Sequence, residues 1–267
     1  MKFGLIGEKL SHSYSPQIHR LFFKIAGIKG EYKLFEIERN DIGQFLQNAH
    51  RDKFSGINVT IPYKTDVIRF LDELSPEAEK INAVNTISFD GRLCGYNTDY
   101  FGLDYTFKKH RINVNGMRVL VTGSGGAAKA VVSYLSDNNA KEIYIASRDN
   151  AKSGNKYSEV TVVSYSDIIK YCPFDIIINT TPVGMYPNTG VSPLSKEQIS
   201  GAMFVLDLIY NPSVTKLMEI ADTLRILNTN GLYMLTAQAV KAQEIWNGKD
   251  YGIDMIDRIF KEIMNIK

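Results

Sequence analysis

Cysteine is nearly absent: Cys94 and Cys172 are the only two among 267 residues, far apart and without histidines at ligand spacing. That excludes a disulfide framework and gives no zinc-site pattern, so both read as core thiols and no metal is expected. Runs of like charge are also missing. The 31 Lys and Arg are interspersed with 29 Asp and Glu for a net charge of +2, which leaves no electrostatic footprint for a nucleic-acid partner. No stretch approaches the roughly 20 apolar residues that cross a bilayer. The opening Met1-Lys-Phe-Gly-Leu-Ile-Gly7 turns polar at Glu8 and Lys9, too early for the apolar segment of a secretory signal. Internal repeats and low-complexity tracts are lacking as well. The expectation is a cytoplasmic protein with neither membrane nor nucleic-acid partners.

What is present is an average globular composition, 44% hydrophobic and 22% charged, in a length that suits two domains. Short apolar runs at residues 2–6, 32–36 and 56–60 read as strands, and segments 16–26 and 41–49 space their apolar residues as helices do. Segment 63–74 continues that alternation as a helix after Pro62, and 83–89 with 92–96 reads as two strands about the turn Asp90-Gly91. A helical stretch at 102–110 leads through Asn115-Gly116 to a second series. Its strands are expected at 118–122, 142–146, 160–164, 175–179 and 203–208, and its helices at 127–135 and 215–224. Helical segments 236–246 and 255–266 close the chain. This βαβ alternation predicts an α/β protein of two domains, an N-terminal α/β domain with a mainly parallel sheet and a Rossmann-type dinucleotide-binding domain.

The sharpest local signal is Val119-Leu-Val-Thr-Gly123-Ser-Gly125-Gly126-Ala127-Ala128, an apolar strand, a glycine-rich turn and a helix start. Gly123 permits the tight turn, Gly125 lets the backbone approach a pyrophosphate, Ala128 allows close helix packing, and the helix amino terminus favours the anion. A bare strand-to-helix turn without ligand is the alternative. The next strand ends at Ser147-Arg148-Asp149. Arg148 favours the 2′-phosphate of NADP over NAD, Lys152 adds a second cation or is a solvated surface lysine, and Asp149 would repel the phosphate unless it points away.

Three polar clusters fall between strands and helices, at the sheet edge where α/β proteins bind ligands. Ser11-His-Ser-Tyr-Ser-Pro16 offers hydroxyls for a carboxylate near a helix amino terminus, though Ser15 before Pro16 is also an N-cap signal. Asn58-Val-Thr60-Ile-Pro62-Tyr-Lys64 sets a lysine in the first turn of the expected 63–74 helix, an unfavourable end for a cation. Gly95-Tyr-Asn97-Thr-Asp99, with Asn85-Thr86 before it, presents a carboxylate that is either a helix cap or a functional group. His12 and His19 have no general-base partner or ligand spacing and read as neither nucleophilic nor metal-binding.

Together these segments resemble the shikimate dehydrogenases over essentially the whole chain. The matching pieces continue with Asn179-Thr-Thr-Pro-Val-Gly-Met185, Asp207-Leu-Ile-Tyr210-Asn-Pro212 and Gly231-Leu-Tyr-Met-Leu-Thr-Ala-Gln238-Ala239. The resemblance implies reversible reduction of 3-dehydroshikimate to shikimate by NADPH, a step of aromatic amino-acid biosynthesis. It implies Lys64 and Asp99 as the proton-transfer pair. Ser13 and Ser15 would bind the substrate carboxylate with Tyr210 near it, and Thr60, Asn85, Asp99 and Gln238 would contact ring hydroxyls. The cofactor would meet Gly123, Gly125, Gly126, Ala127, Ser147, Arg148, Lys152, Thr180 and Gly231. A discontinuous substrate domain, 1–101 plus 236–267, around a cofactor domain, 102–235, is also implied, as monomer or homodimer. The family commonly has Asn-Arg-Thr where this chain has Ser147-Arg148-Asp149, which narrows the margin over NAD. A quinate-accepting dehydrogenase and a non-catalytic ligand sensor remain as alternatives.

Overall fold

The computed structural model describes residues 1–10, 13–148 and 160–265. Ser11, His12, Asp149 and Lys152, singled out above, lie outside them. The chain forms two compact units, Met1–Tyr105 with Tyr233–Lys267, and Thr106–Leu232.

In the first unit six strands, β1 (Lys2–Gly7), β2 (Glu31–Glu36), β3 (Gly56–Val59), β4 (Glu73–Leu74), β5 (Thr86–Ser88) and β6 (Cys94–Tyr96), form one sheet ordered β2-β1-β3-β5-β6-β4. β1 runs parallel to β2 and β3, and β4 parallel to β6, whereas β5 is antiparallel to both its neighbours. The Gly-Ile-Asn-Val of β3 is buried throughout, as expected of a strand covered on both faces. Helix Ser15–Ala26 turns Ile18, His19, Phe22 and Phe23 inward and stops where Gly27 adopts a left-handed φ of 68°. Helix Leu232–Asn247 contributes Trp246, whose ring stacks on Phe3 at 4.9 Å.

The expected helix over 63–74 is not formed. Its place is taken by turns, a 3₁₀ turn at Ile68–Phe70 and the short β4. The Lys64 carbonyl, which an α-helix would give to residue 68, accepts instead from the Val84 amide at 2.7 Å, so a tertiary bond replaces the local one. A helix not read from the sequence, Pro76–Ile81, starts at Ser75, whose hydroxyl accepts from the Ala78 amide at 3.2 Å.

The second unit is a parallel sheet of β7 (Arg118–Thr122), β8 (Glu142–Ala146), β9 (Thr161–Val163), β10 (Ile176–Asn179), β11 (Phe204–Asp207) and β12 (Leu227–Asn230), ordered β12-β11-β10-β7-β8-β9. Numbered within the unit, this is the dinucleotide-binding order 3-2-1-4-5-6, whose switch point falls between β7 and β10. Helix Gly126–Asp137 follows β7 directly and buries Ala128, Ala130, Val131 and Leu135. Helix Thr98–His110 carries the chain from the first unit into the second, and Leu232–Asn247 carries it back. Among the described residues no helix is long and apolar enough to cross a membrane.

Candidate active site

In the first unit the Lys64 ammonium donates to Asp99 Oδ2 at 2.6 Å, with side chains only 18% and 14% exposed. Lys64 stands in the turns after β3 rather than in a helix, so no helix dipole opposes its charge. Asp99 is in the first turn of Thr98–His110 but does not cap it. The Thr98 amide donates to Asn85 Oδ1 at 2.8 Å and the Asp99 amide to Asn97 Oδ1 at 3.2 Å. Freed from capping, the Asp99 carboxylate takes Lys64 on one oxygen and Asn85 Nδ2, at 2.8 Å, on the other. Gln238 reaches the same cluster through the Thr98 hydroxyl, 3.3 Å from its Oε1. Lys64, Asp99, Asn85 and Gln238 are thus brought together, while Thr60 sits at the end of β3 with its amide on the Ile6 carbonyl.

The serines behave differently from the capping expectation. The helix N-cap is Tyr14, without a side-chain cap, and Ser15 is the first helical residue. Ser13 Oγ accepts from the Ser15 amide at 3.2 Å, so Ser13 rather than Ser15 serves the helix end. Ser15 is buried beside Tyr32. The Tyr32 hydroxyl donates to Asn58 Oδ1 at 2.7 Å, and burial raises its pKa. The His19 ring stacks on Tyr32 at 4.0 Å; burial, against a smaller opposing contribution from Asn58, lowers its pKa to about 3. His19 is therefore a neutral core imidazole. Tyr32, Asn58, Thr86 and Thr98 escaped the sequence reading as site residues, although Asn58, Thr86 and Thr98 lie inside the quoted motifs.

At the switch point of the second unit Gly123 has φ +92°, and Cβ atoms added at Gly125 or Gly126 would meet nothing within 4 Å. The loop's outer side is open, and helix Gly126–Asp137 begins there with Gly125 as its N-cap. Ala127 is half-buried and Ala128 fully buried. The Thr180 hydroxyl donates to the Thr122 carbonyl at 2.6 Å, tying β10 to β7 below the loop. Ser147 Oγ lies 3.4 Å from Ser124 Oγ, and Arg148 is exposed just past β8. Tyr165, unremarked in the sequence, stands near Arg148 and the Gly123 backbone with its pKa raised by burial. A Cβ at Gly231 would lie 2.1 Å from the Leu208 carbonyl oxygen, so backbone approach alone demands glycine there. Tyr210 is half-buried in the loop after β11. Cys94 and Cys172 are free and partly exposed rather than core. An open glycine turn, a helix amino terminus and an exposed arginine past the second strand fit a phosphorylated dinucleotide.

A parallel sheet in this order with such a turn, in a chain that also sets a shielded lysine against an aspartate, defines a dinucleotide-dependent oxidoreductase. Residues 5–87 match the family described as the shikimate dehydrogenase substrate binding domain. A shikimate dehydrogenase (NADP(+)) of Clostridium beijerinckii is 44% identical over 246 residues, 91% of each chain. A solved chorismate mutase/shikimate 5-dehydrogenase fusion protein from Clostridium acetobutylicum matches with a TM-score of 0.97 at 43% identity, covering 99% of this chain and 97% of that one. The shikimate 5-dehydrogenase of Thermus thermophilus, in complex with NADP(H) and shikimate, matches with 0.89 at 28% identity, covering 98% and 99%. The chain belongs to the shikimate dehydrogenase family.

Proposed function

We propose that this chain is an NADP-dependent shikimate dehydrogenase that reversibly reduces 3-dehydroshikimate to shikimate for aromatic amino-acid biosynthesis, with Lys64 and Asp99 as its proton-transfer pair. The observation that carries the reading is the 2.6 Å Lys64–Asp99 contact, shielded from water, in a member of this family. Bound NADPH supplies the hydride. As negative charge develops on the ketone oxygen, the Lys64 ammonium stabilises it and delivers the proton, an interaction stronger in the transition state than in the ground state. Asp99 holds Nζ in place through the 2.6 Å contact.

Within this reading Ser13 and Ser15 bind the substrate carboxylate, as the matched Tyr210 motif also suggests for that tyrosine. Asn85, Thr60, Asp99 and Gln238 take the ring hydroxyls. The first unit is the substrate domain and the second the cofactor domain, with contacts at Gly123, Gly125, Gly126, Ala127, Ser147, Arg148, Thr180 and Gly231; Lys152 keeps its assignment on sequence alone. Near-neutral, evenly spread charge and free cysteines support a cytoplasmic protein that acts on small molecules and not on nucleic acid, and the family resemblance carries the reading of it as a monomer or homodimer. The test is kcat/KM for shikimate and quinate, each with NADP⁺ and NAD⁺. Shikimate with NADP⁺ is expected to lead. A lead for quinate or NAD⁺ overturns the specificity, and ligand binding without turnover makes the chain a sensor instead.

A further inference from the structure

Asn85 presents two chemically different faces, and backbone groups decide which is which. Its Oδ1 faces the Thr98 amide at 2.8 Å, a group that can only donate, so the carboxamide must turn its Nδ2 toward Asp99. Asn58 is fixed in the same manner. Its Nδ2 faces the Asn85 carbonyl at 3.1 Å, a group that can only accept, so its Oδ1 must face Tyr32 and the tyrosine hydroxyl must donate. The second Asn58 N–H goes to Thr86 Oγ1 at 3.0 Å, which leaves the Thr86 proton for Asn85 Oδ1, also at 3.0 Å, or for Thr98 Oγ1 at 3.3 Å, whose own proton reaches Asn85 Oδ1 at 3.1 Å. Every donor then runs one way, from Tyr32 through Asn58, Thr86 and Asn85 to the Asp99 carboxylate. Asn58, Thr86 and Asn85 are all buried, Thr86 completely, so water cannot replace a missing member.

We propose that Tyr32, Asn58 and Thr86 are positioning residues for the reaction, a one-way hydrogen-bond relay that holds the Asn85 carboxamide, and through it the Asp99 carboxylate, turned to Lys64. Tyr32 also borders Ser15, so its hydroxyl stands between the serine cluster and the proton pair. None of the three touches the reacting atoms in this scheme. The proposal rests on the reading of Lys64 and Asp99 as the proton pair.

The test compares variants that separate shape from hydrogen bonding, with kcat, both KM values and Tm measured on the full chain. Thr86→Val keeps the shape and loses every hydroxyl bond, to Asn58, Asn85 and Thr98, and is expected to lower kcat about tenfold while the KM for NADP⁺ stays within about twofold. Thr86→Ser keeps the hydroxyl and leaves a methyl-sized gap, and is expected to retain most of kcat despite a lower Tm. Tyr32→Phe removes only the first donor and is expected to lower kcat in the same direction, by roughly threefold. A merely structural Thr86 would reverse the Val and Ser ranking. Normal kcat in Tyr32→Phe together with normal or Ser-like kcat in Thr86→Val overturns the relay; should Thr86→Val not fold, normal kcat in Tyr32→Phe does so alone. Lys64→Ala is run alongside: if it keeps turnover, the proton-pair reading fails and the relay with it, whereas an inactive Lys64→Ala beside an unaffected relay series removes the relay only.

Discussion

Lys64 and Asp99 pair in a place where neither gains much by pairing. A shielded ion pair loses hydration on both partners, and a well-packed apolar pair is often at least as stable, so the contact is better explained by chemistry than by folding. General acid–base groups contribute about 10²–10⁴-fold; Lys64→Ala should lower kcat by that order with a smaller change in KM, and turnover within about tenfold of the parent would sink the assignment. Arg148 is exposed past β8. Arg148→Ala should leave Tm unchanged and raise the KM for NADP⁺ roughly ten- to hundredfold with little effect on NAD⁺, as expected for one charge-assisted bond to a 2′-phosphate; equal effects on both cofactors would show that Arg148 does not read the phosphate. Lys64, Asn85 and Asp99 could be picked out from sequence because each stands in a polar cluster next to a strand end. Tyr32, Asn58 and Thr86 could not: a polar residue inside a strand looks the same whether it faces water or a buried partner. Their hydrogen bonds exist only once the topology sets β2, β3 and β5 into one sheet. The hydroxyl expected from Ser15 at the helix start comes instead from Ser13, with Tyr14 as N-cap, for a similar reason, since hydroxyls at 13 and 15 offer the same local chemistry.

The strands of the second unit were legible because buried parallel strands are continuous apolar runs, as in Ile176–Asn179 and Arg118–Thr122. β12 was not, because Leu-Asn-Thr-Asn at the sheet edge carries no such run. The false helix at 63–74 had suitable periodicity, but the Val84 amide took the carbonyl that the helix needed. Contacts between elements set harder limits than periodicity does. Gly56 begins β3 directly against helix Leu232–Asn247, where an added Cβ would lie 1.9 Å from Trp246 Nε1. That indole donates to the Ile87 carbonyl at 2.9 Å and stacks on Phe3. Gly56→Ala must therefore push the helix off the sheet or break the indole bond, at a cost of about 1–3 kcal/mol or more. The chain has a single tryptophan, so fluorescence reports on this contact alone. A red-shifted emission and a lowered Tm are expected; unchanged emission with parental Tm would mean that the helix and sheet are less tightly apposed than described.

At the scale of the whole molecule the question is what returns the C-terminal segment to the first unit after the chain has built the second. Part of the answer is a buried junction in which His19, from near the amino terminus, meets Gln243, whose Nε2 lies 2.9 Å from its Nδ1, with Tyr32 stacked on one side and Trp246 5.7 Å away. Gln243 Oε1 accepts from Asn247, so Nε2 is the group turned to the ring and the imidazole accepts through Nδ1, which requires it to be neutral. Burial lowers the His19 pKa to about 3 in the folded protein, against about 6.5 when unfolded. Between those values the unfolded chain binds the extra proton, so folding stability rises with pH. The contribution of the neutral imidazole is complete above about pH 6.5 and is lost progressively as pH falls toward 3, by about 1.4 kcal/mol per unit for one proton. Ordinary carboxylates titrate mainly below pH 5, which leaves the interval from about 6.5 to 5 chiefly to histidines, His110 among them because burial lowers its pKa too, and the share of His19 is the difference between the parent and a variant lacking it. Denaturant unfolding followed by Trp246 fluorescence should show that slope in the parent and a flatter one in His19→Gln, even if the variant is less stable at every pH. Equal slopes in the two proteins would mean that His19 protonates without disturbing the junction, and that the C-terminal segment is held by packing in which the charge of this ring has no part.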